Sequence, residues 1–339
     1  ILNVKENQNS STYQSIPDFY SGKSVFVTGG TGFLGKVFVE KLLYSCNKLD
    51  KVYLLVREKK GENVIENILF FFCHLKVVAV TGDISLPNLG LSQEDEQTLI
   101  DKALVYISTA FSQPQRNVLV ETVYPPPANI KYVYEFIEEY GHDTEATMKF
   151  LSNNKPNTYT FTKALAESYI ASNHGDVPTV IIRPSIVAST KDEPVTGWID
   201  NWFGCTHMLF NSAIGWNRFN LGSGSNTMDF IPVDYVSNLK DIKYLGVQTC
   251  LTASIKSTIV NLPSFVIRYV KLVSSIARRR NPYECFTSRT WVMRAERTRE
   301  LYSSLSSEDK QTFPCDPTQI EWSEYFRDYA KGVLKYLKK

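Results

Sequence analysis

Ser24-Val25-Phe26-Val27-Thr28-Gly29-Gly30-Thr31-Gly32-Phe33-Leu34-Gly35 carries the pattern that decides the fold of this 339-residue chain. A short apolar run ends in a glycine-rich turn. A helical pattern follows from Phe33 to Tyr44, with Leu34, Val37, Phe38, Leu42 and Leu43 on one face. Gly29, Gly32 and Gly35 are spaced three apart. The first permits a tight turn, the second lets backbone approach a pyrophosphate, and the third lets the helix pack closely on the sheet. Free N–H groups and the helix dipole favour phosphate there. The turn therefore predicts a dinucleotide site at Thr28, Gly29, Thr31, Gly32, Phe33, Leu34 and Gly35.

Further apolar runs follow on schedule. Lys51–Val56 reads as a second strand ending at Arg57, and Lys76–Val80 as a third ending at Gly82-Asp83. Ala103–Ile107 ends at Ser108-Thr109, and Thr179–Ile182 is stopped by Arg183-Pro184. With helical patterns over 130–152 and Phe161–Ser172, this predicts a parallel sheet with helices on its faces. Residues 1–20 read as a polar arm, 190–230 as mixed loops, 264–280 as a basic amphipathic helix and 290–339 as a helical module.

Composition narrows the class. Apolar residues are 43% and charged residues 21%, which excludes collagen and a disordered tail. The length suggests about two domains. A net charge of +2 gives no global basic field for nucleic acid. The six cysteines form no Cys-x-x-Cys pair and the four histidines no ligand-type cluster, so no metal site is expected. No run reaches the ~18 apolar residues of a membrane span, and scattered cysteines fit a reducing compartment.

Two features select the cofactor and the chemistry. Arg57 stands 22 residues after Gly35, where an acid usually holds the ribose of NAD. A guanidinium suits a 2′-phosphate, so NADPH is expected, with Asp83 and Ile84 reaching the adenine. Tyr159 and Lys163 are four apart on one helical face. A phenol ordinarily titrates near pH ~10, and a nearby ammonium would lower that value. Tyr159 is then the expected proton donor, Lys163 holds the nicotinamide ribose, and a hydroxyl from Thr109, or else Ser108, orients the carbonyl.

These motifs together resemble the extended short-chain dehydrogenase/reductase superfamily, and within it the animal type of alcohol-forming fatty acyl-CoA reductase. The resemblance rests on Ile16-Pro17-Asp18-Phe19-Tyr20, Thr28–Gly35, Tyr53–Arg57, Gly82–Leu91, Val123–Pro127, Pro156–Glu167, Arg183–Val187, Gly197–Asn201 and Ile231–Tyr235, with a C-terminal match around Leu305-Ser306 and Trp322–Leu337. It implies a Rossmann-type doubly wound parallel sheet with a small C-terminal helical domain. It also implies Pro184 and Ser185 at the cofactor, and reduction of a long-chain acyl-CoA to the alcohol with two NADPH and release of CoA. The expected division is an arm over 1–15, an NADP-binding domain over 16–245, a connecting helix over 246–282 and the helical domain over 283–339. Residues 264–280 would pack on the domain with a solvated basic end, meet an anionic membrane surface or attract the phosphates of CoA, and the resemblance implies a peroxisomal or endoplasmic-reticulum membrane.

The chain departs from that pattern in its middle. Only 20 positions separate Asp83 from Ala103, and Leu91–Lys102 is polar. Another strand and two crossovers do not fit, since each whole crossover needs at least ~10 residues. One strand–helix unit is therefore expected to be missing. Two alternatives stay open: a catalytically inactive relative that binds lipid or a partner, and a reductase of small carbonyls or nucleotide sugars. Ala103–Ile107 directly beside the first strand would mean that one unit is skipped, and a gap between them that the cofactor site is not assembled.

Overall fold

The computed structural model describes residues 13–57, 76–95, 104–152, 155–214, 226–241, 249–251, 253–256 and 289–338. The expected helix over 264–280 lies outside these residues, as does most of Leu91–Lys102.

The first half follows the glycine-turn reading. Strands β1 (Val25–Val27), β2 (Val52–Val56) and β3 (Val77–Thr81) form a parallel sheet in that order, with Val27 opposite Leu54 and Leu54 opposite Ala79. Val52, Leu54, Leu55 and Val56 are all buried, which explains an unbroken apolar run rather than an alternating one. The short helix α1 (Ile16–Tyr20) precedes them, capped by the Ser15 side chain. Helix α2 (Phe33–Ser45) buries Val37, Phe38, Leu42 and Leu43, four of the residues assigned to its inner face.

A second parallel sheet has the order β4 (Leu104–Ile107), β6 (Thr179–Pro184), β9 (Thr249–Leu251). Ile107 stands opposite Ile182. Strand β6 continues through Ser185 into β7 (Ile186–Ala188), which pairs with β8 (Thr227–Pro232), itself antiparallel to β10 (Ala253–Lys256). Among the described residues, β1 pairs only with β2 and β4 only with β6. The second sheet thus does not join the first edge to edge. The two halves still share one core, which includes Val27, Leu54, Ile182, Phe230 and Tyr325, with Val105 and Ile107 packed against it.

Three expectations need correction. The helical pattern over 130–152 is two helices, α3 (Ile130–Tyr140) and α4 (Thr144–Ser152). The Gly141 N–H closes on the carbonyl of Ile137, and Asp143 then accepts from the N–H groups of Glu145 and Ala146, restarting the chain as a new helix. The stretch 190–230, read as loops, contains α6 (Cys205–Ala213) and the start of β8, as its glycines and aromatics obscured the periodicity. Within the polar arm, residues 13–20 are docked. Ile16 and Tyr20 are buried, and Asp309 accepts from the Tyr13 hydroxyl and, at 3.1 Å, from the Ile16 N–H.

Helix α5 (Thr158–Asn173) begins at Asn157, whose side chain accepts from the Thr160 N–H at 2.9 Å. Helix α7 (Val233–Asp241) packs on α2. The C-terminal module comprises α8 (Glu296–Ser303), α9 (Ser307–Thr312) and α10 (Trp322–Gly332). It is preceded by β11 (Val292–Met293), which pairs with β5 (Val118–Leu119). Among the described residues no helix is long and apolar enough to cross a membrane.

The C-terminal module meets the loop over 190–204 backbone to backbone. A Cβ on Gly332 would lie 1.7 Å from the Gly197 carbonyl oxygen, and one on Gly197 would lie 2.4 Å from that of Asp328. Around this contact the Tyr325 hydroxyl donates to the Ser189 carbonyl at 2.9 Å, and the Tyr329 hydroxyl sits 2.6 Å from Thr206 Oγ1. Gly332→Ala should therefore force the helix off the loop and lower stability by about 3 kcal/mol, read as an earlier urea midpoint with an unchanged slope.

Candidate dinucleotide and hydride-transfer site

The glycine turn has the geometry its spacing predicts. Gly29 has φ +68°, a region that favours glycine. A Cβ on Gly35 would lie 2.1 Å from the Gly29 carbonyl oxygen and 2.7 Å from the Gly30 Cα, so only glycine lets α2 start this close to the turn. Gly32 caps α2 and no side chain bonds the first turn. The N–H groups that open the helix therefore remain available to a phosphate. These residues fit a dinucleotide pyrophosphate.

Arg57 and Asp83, both assigned to the cofactor, meet each other. Arg57 Nε lies 2.7 Å from Asp83 Oδ2, and a second guanidinium nitrogen donates to Oδ1 at 3.0 Å. Hydrogen bonds from Ser85 N–H and Oγ hold the Asp83 carboxyl below its usual range, and the Arg57 charge adds to this. Arg57 is 62% exposed, and Ile84 beside Asp83 is also exposed. The pair forms an open rim at the ends of β2 and β3.

The second half brings Thr109, Tyr159 and Ser185 to the carboxyl ends of β4 and β6. The Ser108 N–H donates to the Ile182 carbonyl at 2.8 Å, which sets Thr109 level with Pro184. Thr109 Oγ1 accepts from the Phe111 N–H at 3.2 Å, and its hydroxyl lies close enough to the Tyr159 phenol to favour the phenolate. The Thr109 proton is not used by that bond and can be donated to Tyr159, which would leave the phenol's own proton free. Ser108 is otherwise engaged, because its Oγ donates to Glu167. Thr109 rather than Ser108 is thus the hydroxyl beside Tyr159.

Lys163 is tied to the end of β4. Its Nζ donates to the Ile107 carbonyl at 2.8 Å and stands 5.1 Å from the Tyr106 ring centre. Burial lowers its pKa, opposed by the Glu167 charge. The Tyr159 phenol is raised, not lowered. Crowding around it is the larger effect, and the Thr109 hydrogen bond is what opposes it. In this state the phenol stays protonated through neutral pH, as a proton donor requires. The Ser185 hydroxyl, beside Pro184, is buried with no hydrogen-bond partner among the described residues. An orphaned donor at this place fits a polar ligand.

Beneath the site lies a network outside the assigned residues. Arg183 donates to Glu167 through Nε at 2.9 Å and a terminal nitrogen at 2.7 Å, and to the Thr122 carbonyl at 2.8 Å. Both partners are almost fully buried. The signal was present in the sequence: Glu167 repeats the spacing of Tyr159 and Lys163 on one helical face, and Arg183 closes the apolar run of β6.

Comparison with known proteins places these features in a family. The family model described as male sterility protein, in its NAD-binding part, matches residues 27–103 and 98–239 as two pieces. A second model of the same description matches residues 249–339. The chain is 30% identical to fatty acyl-CoA reductase 1 of Xenopus laevis, covering 95% of this chain and 86% of that protein. The human counterpart is also 30% identical over the same shares, and fatty acyl-CoA reductase 2 of Mus musculus is 26% identical over 96% and 86%. In the Xenopus comparison 95% of 339 residues, about 322, spreads over 444 aligned positions, so roughly 120 positions of the relative face gaps. The two pieces of the family match meet at residues 98–103, where a strand–helix unit was expected to be missing. Among solved structures, the terminal R domain of the myxalamid PKS-NRPS pathway shares the fold at a TM-score of 0.62 and 17% identity, covering 93% of this chain and 91% of that one. The PhqB reductase domain of Penicillium fellutanum gives 0.54 and 17%, over 94% of each chain.

Tyr159→Phe removes the proton donor and should cut hydride-transfer turnover by at least ~100-fold, with cofactor affinity within about twofold of the parent. Thr109→Ala should cost about tenfold. Steady-state rates with a fluorescence titration of the reduced cofactor read both.

Proposed function

We propose a reaction from the family and the site together: the chain belongs to the fatty acyl-CoA reductase family, and it reduces a long-chain fatty acyl-CoA to the fatty alcohol at the expense of NADPH. The observation that carries the chemistry is the contact between Thr109 and Tyr159 at the ends of two parallel strands, level with the buried, unpartnered Ser185 hydroxyl. When bound, the nicotinamide supplies the hydride. The Thr109 hydroxyl and the Tyr159 phenol would bracket the carbonyl oxygen, and Tyr159 would pass its proton to the oxygen as negative charge develops there. Lys163 uses one of its three donors on Ile107, and the others remain for the cofactor ribose. The oxygen would return that proton to the Tyr159 phenolate as the C–S bond breaks and CoA thiolate leaves, giving the aldehyde; with a second NADPH bound, Tyr159 would protonate the aldehyde oxygen once more to give the alcohol.

NADPH rather than NADH is favoured by Arg57. Its guanidinium stands at the open end of β2 and could bridge Asp83 and a 2′-phosphate. Arg57→Ala should raise KM for NADPH about tenfold, equivalent to ~1.4 kcal/mol, and leave KM for NADH nearly unchanged. The acyl-CoA substrate is amphiphilic, and the basic stretch 264–280 would suit an anionic membrane surface of the peroxisome or endoplasmic reticulum.

A second reading has its own support. The separation of β1 from β4 divides the dinucleotide turn from the Thr109–Tyr159 pair, as expected of a relative that binds ligand without turnover. Purified protein incubated with a long-chain acyl-CoA and NADPH decides between them. Cofactor oxidation with alcohol formation is the expected result. NADPH binding without oxidation would favour the non-catalytic reading, and turnover of nucleotide sugars instead of acyl-CoA would overturn the substrate assignment.

A further inference from the structure

Lys155 is a buried lysine, 4% exposed, in the segment between α4 and α5. Its Nζ donates to the Ser112 carbonyl at 2.6 Å, to Gln113 Oε1 at 2.8 Å and to Gln115 Oε1 at 3.3 Å. All three acceptors are neutral, and all lie on the loop that leaves Thr109. An ammonium has three donors, and here each has one acceptor. Removing such a charge from water is costly, so a position that retains it without a carboxylate in contact calls for a role.

The placement supplies one. Lys155 lies four residues before Tyr159 and two before Asn157, the cap of α5. Its ammonium therefore joins the start of the Tyr159 helix to the loop whose first residue is Thr109. The opposite wall of that loop is Trp291, whose indole N–H donates to the Pro114 carbonyl at 3.3 Å and whose ring meets Phe111 edge-on at 5.3 Å. The loop is thus clamped between Lys155 and Trp291.

We propose that Lys155 is a positioning residue for the reduction: its ammonium fixes the Thr109 loop against the Tyr159 helix and so sets the hydroxyl and the phenol on the carbonyl oxygen. The proposal rests on the reductase reading for its effect on rate, but not for its effect on the loop. Two charged groups face Lys155: Glu167 on α5 favours its protonated form, and Arg116 on the loop opposes it. Burial outweighs both and brings its pKa down to about 8. Above that pH the neutral amine keeps two donors and turns a lone pair toward an oxygen. The loop then loses one tie. A shift of about 1 Å in such a pair costs on the order of 100-fold in rate.

The test compares the full chain with Lys155→Met and Lys155→Arg. The first readout needs no turnover: the Trp291 contribution to fluorescence, taken as the difference from the Trp291→Phe protein, is followed from pH 6 to pH 10. It should change with a midpoint near 8 in the parent and stay flat in both Lys155 variants. A flat parent, or a change that persists in Lys155→Met, overturns the proposal. The second readout is the rate. Lys155→Met should lower kcat by ten- to a hundredfold with KM for NADPH within about twofold, and Lys155→Arg should recover part of the loss and abolish the alkaline decline above pH ~8. An unchanged kcat in a folded Lys155→Met protein also overturns it. If Lys155→Met does not fold, the parent and Lys155→Arg decide on the same two readouts. A parent that turns over no acyl-CoA but shows the fluorescence change would sink the reductase reading and leave the clamp standing.

Discussion

The buried ion pair between Glu167 and Arg183 is the constraint on which the second half of the structure depends. It joins α5 to β6, and through Ser108 it reaches the strand that ends at Thr109. Removing one partner of such a pair leaves an uncompensated charge and typically costs about 3–5 kcal/mol. Its geometry also fixes chemistry by elimination. Glu167 occupies Ser108, so Thr109 is the hydroxyl that meets Tyr159. Arg183 reaches on to the Thr122 carbonyl and to within 5.4 Å of the Tyr124 ring centre, so the Tyr124-Pro-Pro-Pro segment is held to the same anchor.

Much of this was legible because local rules decide it. Glycine spacing fixes the turn at Gly29, since sterics permit no other residue at Gly35. Apolar runs fix β2 and β3, since a strand buried on both faces tolerates nothing else. That Thr109 stands at a strand end and Tyr159 at the start of a helix followed from the apolar run before Ser108-Thr109 and the helical pattern after Tyr159. What escaped was settled by tertiary contact. The direction of the Lys163 side chain depends on the carbonyl of Ile107, which no spacing reveals. The burial of Lys155 depends on a loop some forty residues earlier folding over it. The docking of residues 13–20 depends on Asp309, at the far end of the sequence.

The division of the sheet has a double origin in sequence. The family match is interrupted where the chain is short, and among the described residues the strands on either side find partners only within their own halves. What holds the halves together is side-chain packing and the loop over 190–204. Lys36 on α2 pairs with Asp200 at 2.8 Å, Phe33 packs on Trp198 with ring centres 5.5 Å apart, and Lys41 pairs with Glu193. Phe33 is also the first residue of the helix that follows the glycine turn. Among the described residues, the glycine turn is therefore connected to the second half through side chains rather than through a continuous hydrogen-bonded ladder.

The pairing of Val292-Met293 with Val118-Leu119 bears on when the protein becomes competent during synthesis. Glu121, on the segment after Thr109, accepts from the N–H groups of Arg297 and Thr298 at 2.7 and 3.1 Å, and Pro114 accepts from Trp291. The loop beside Thr109 thus takes its final contacts from residues made some 180 positions later. Chains fold from the N-terminus as they emerge from the ribosome. The glycine turn can form early, but the Thr109 loop must wait, half-built, for Trp291, Arg297 and Thr298 to appear.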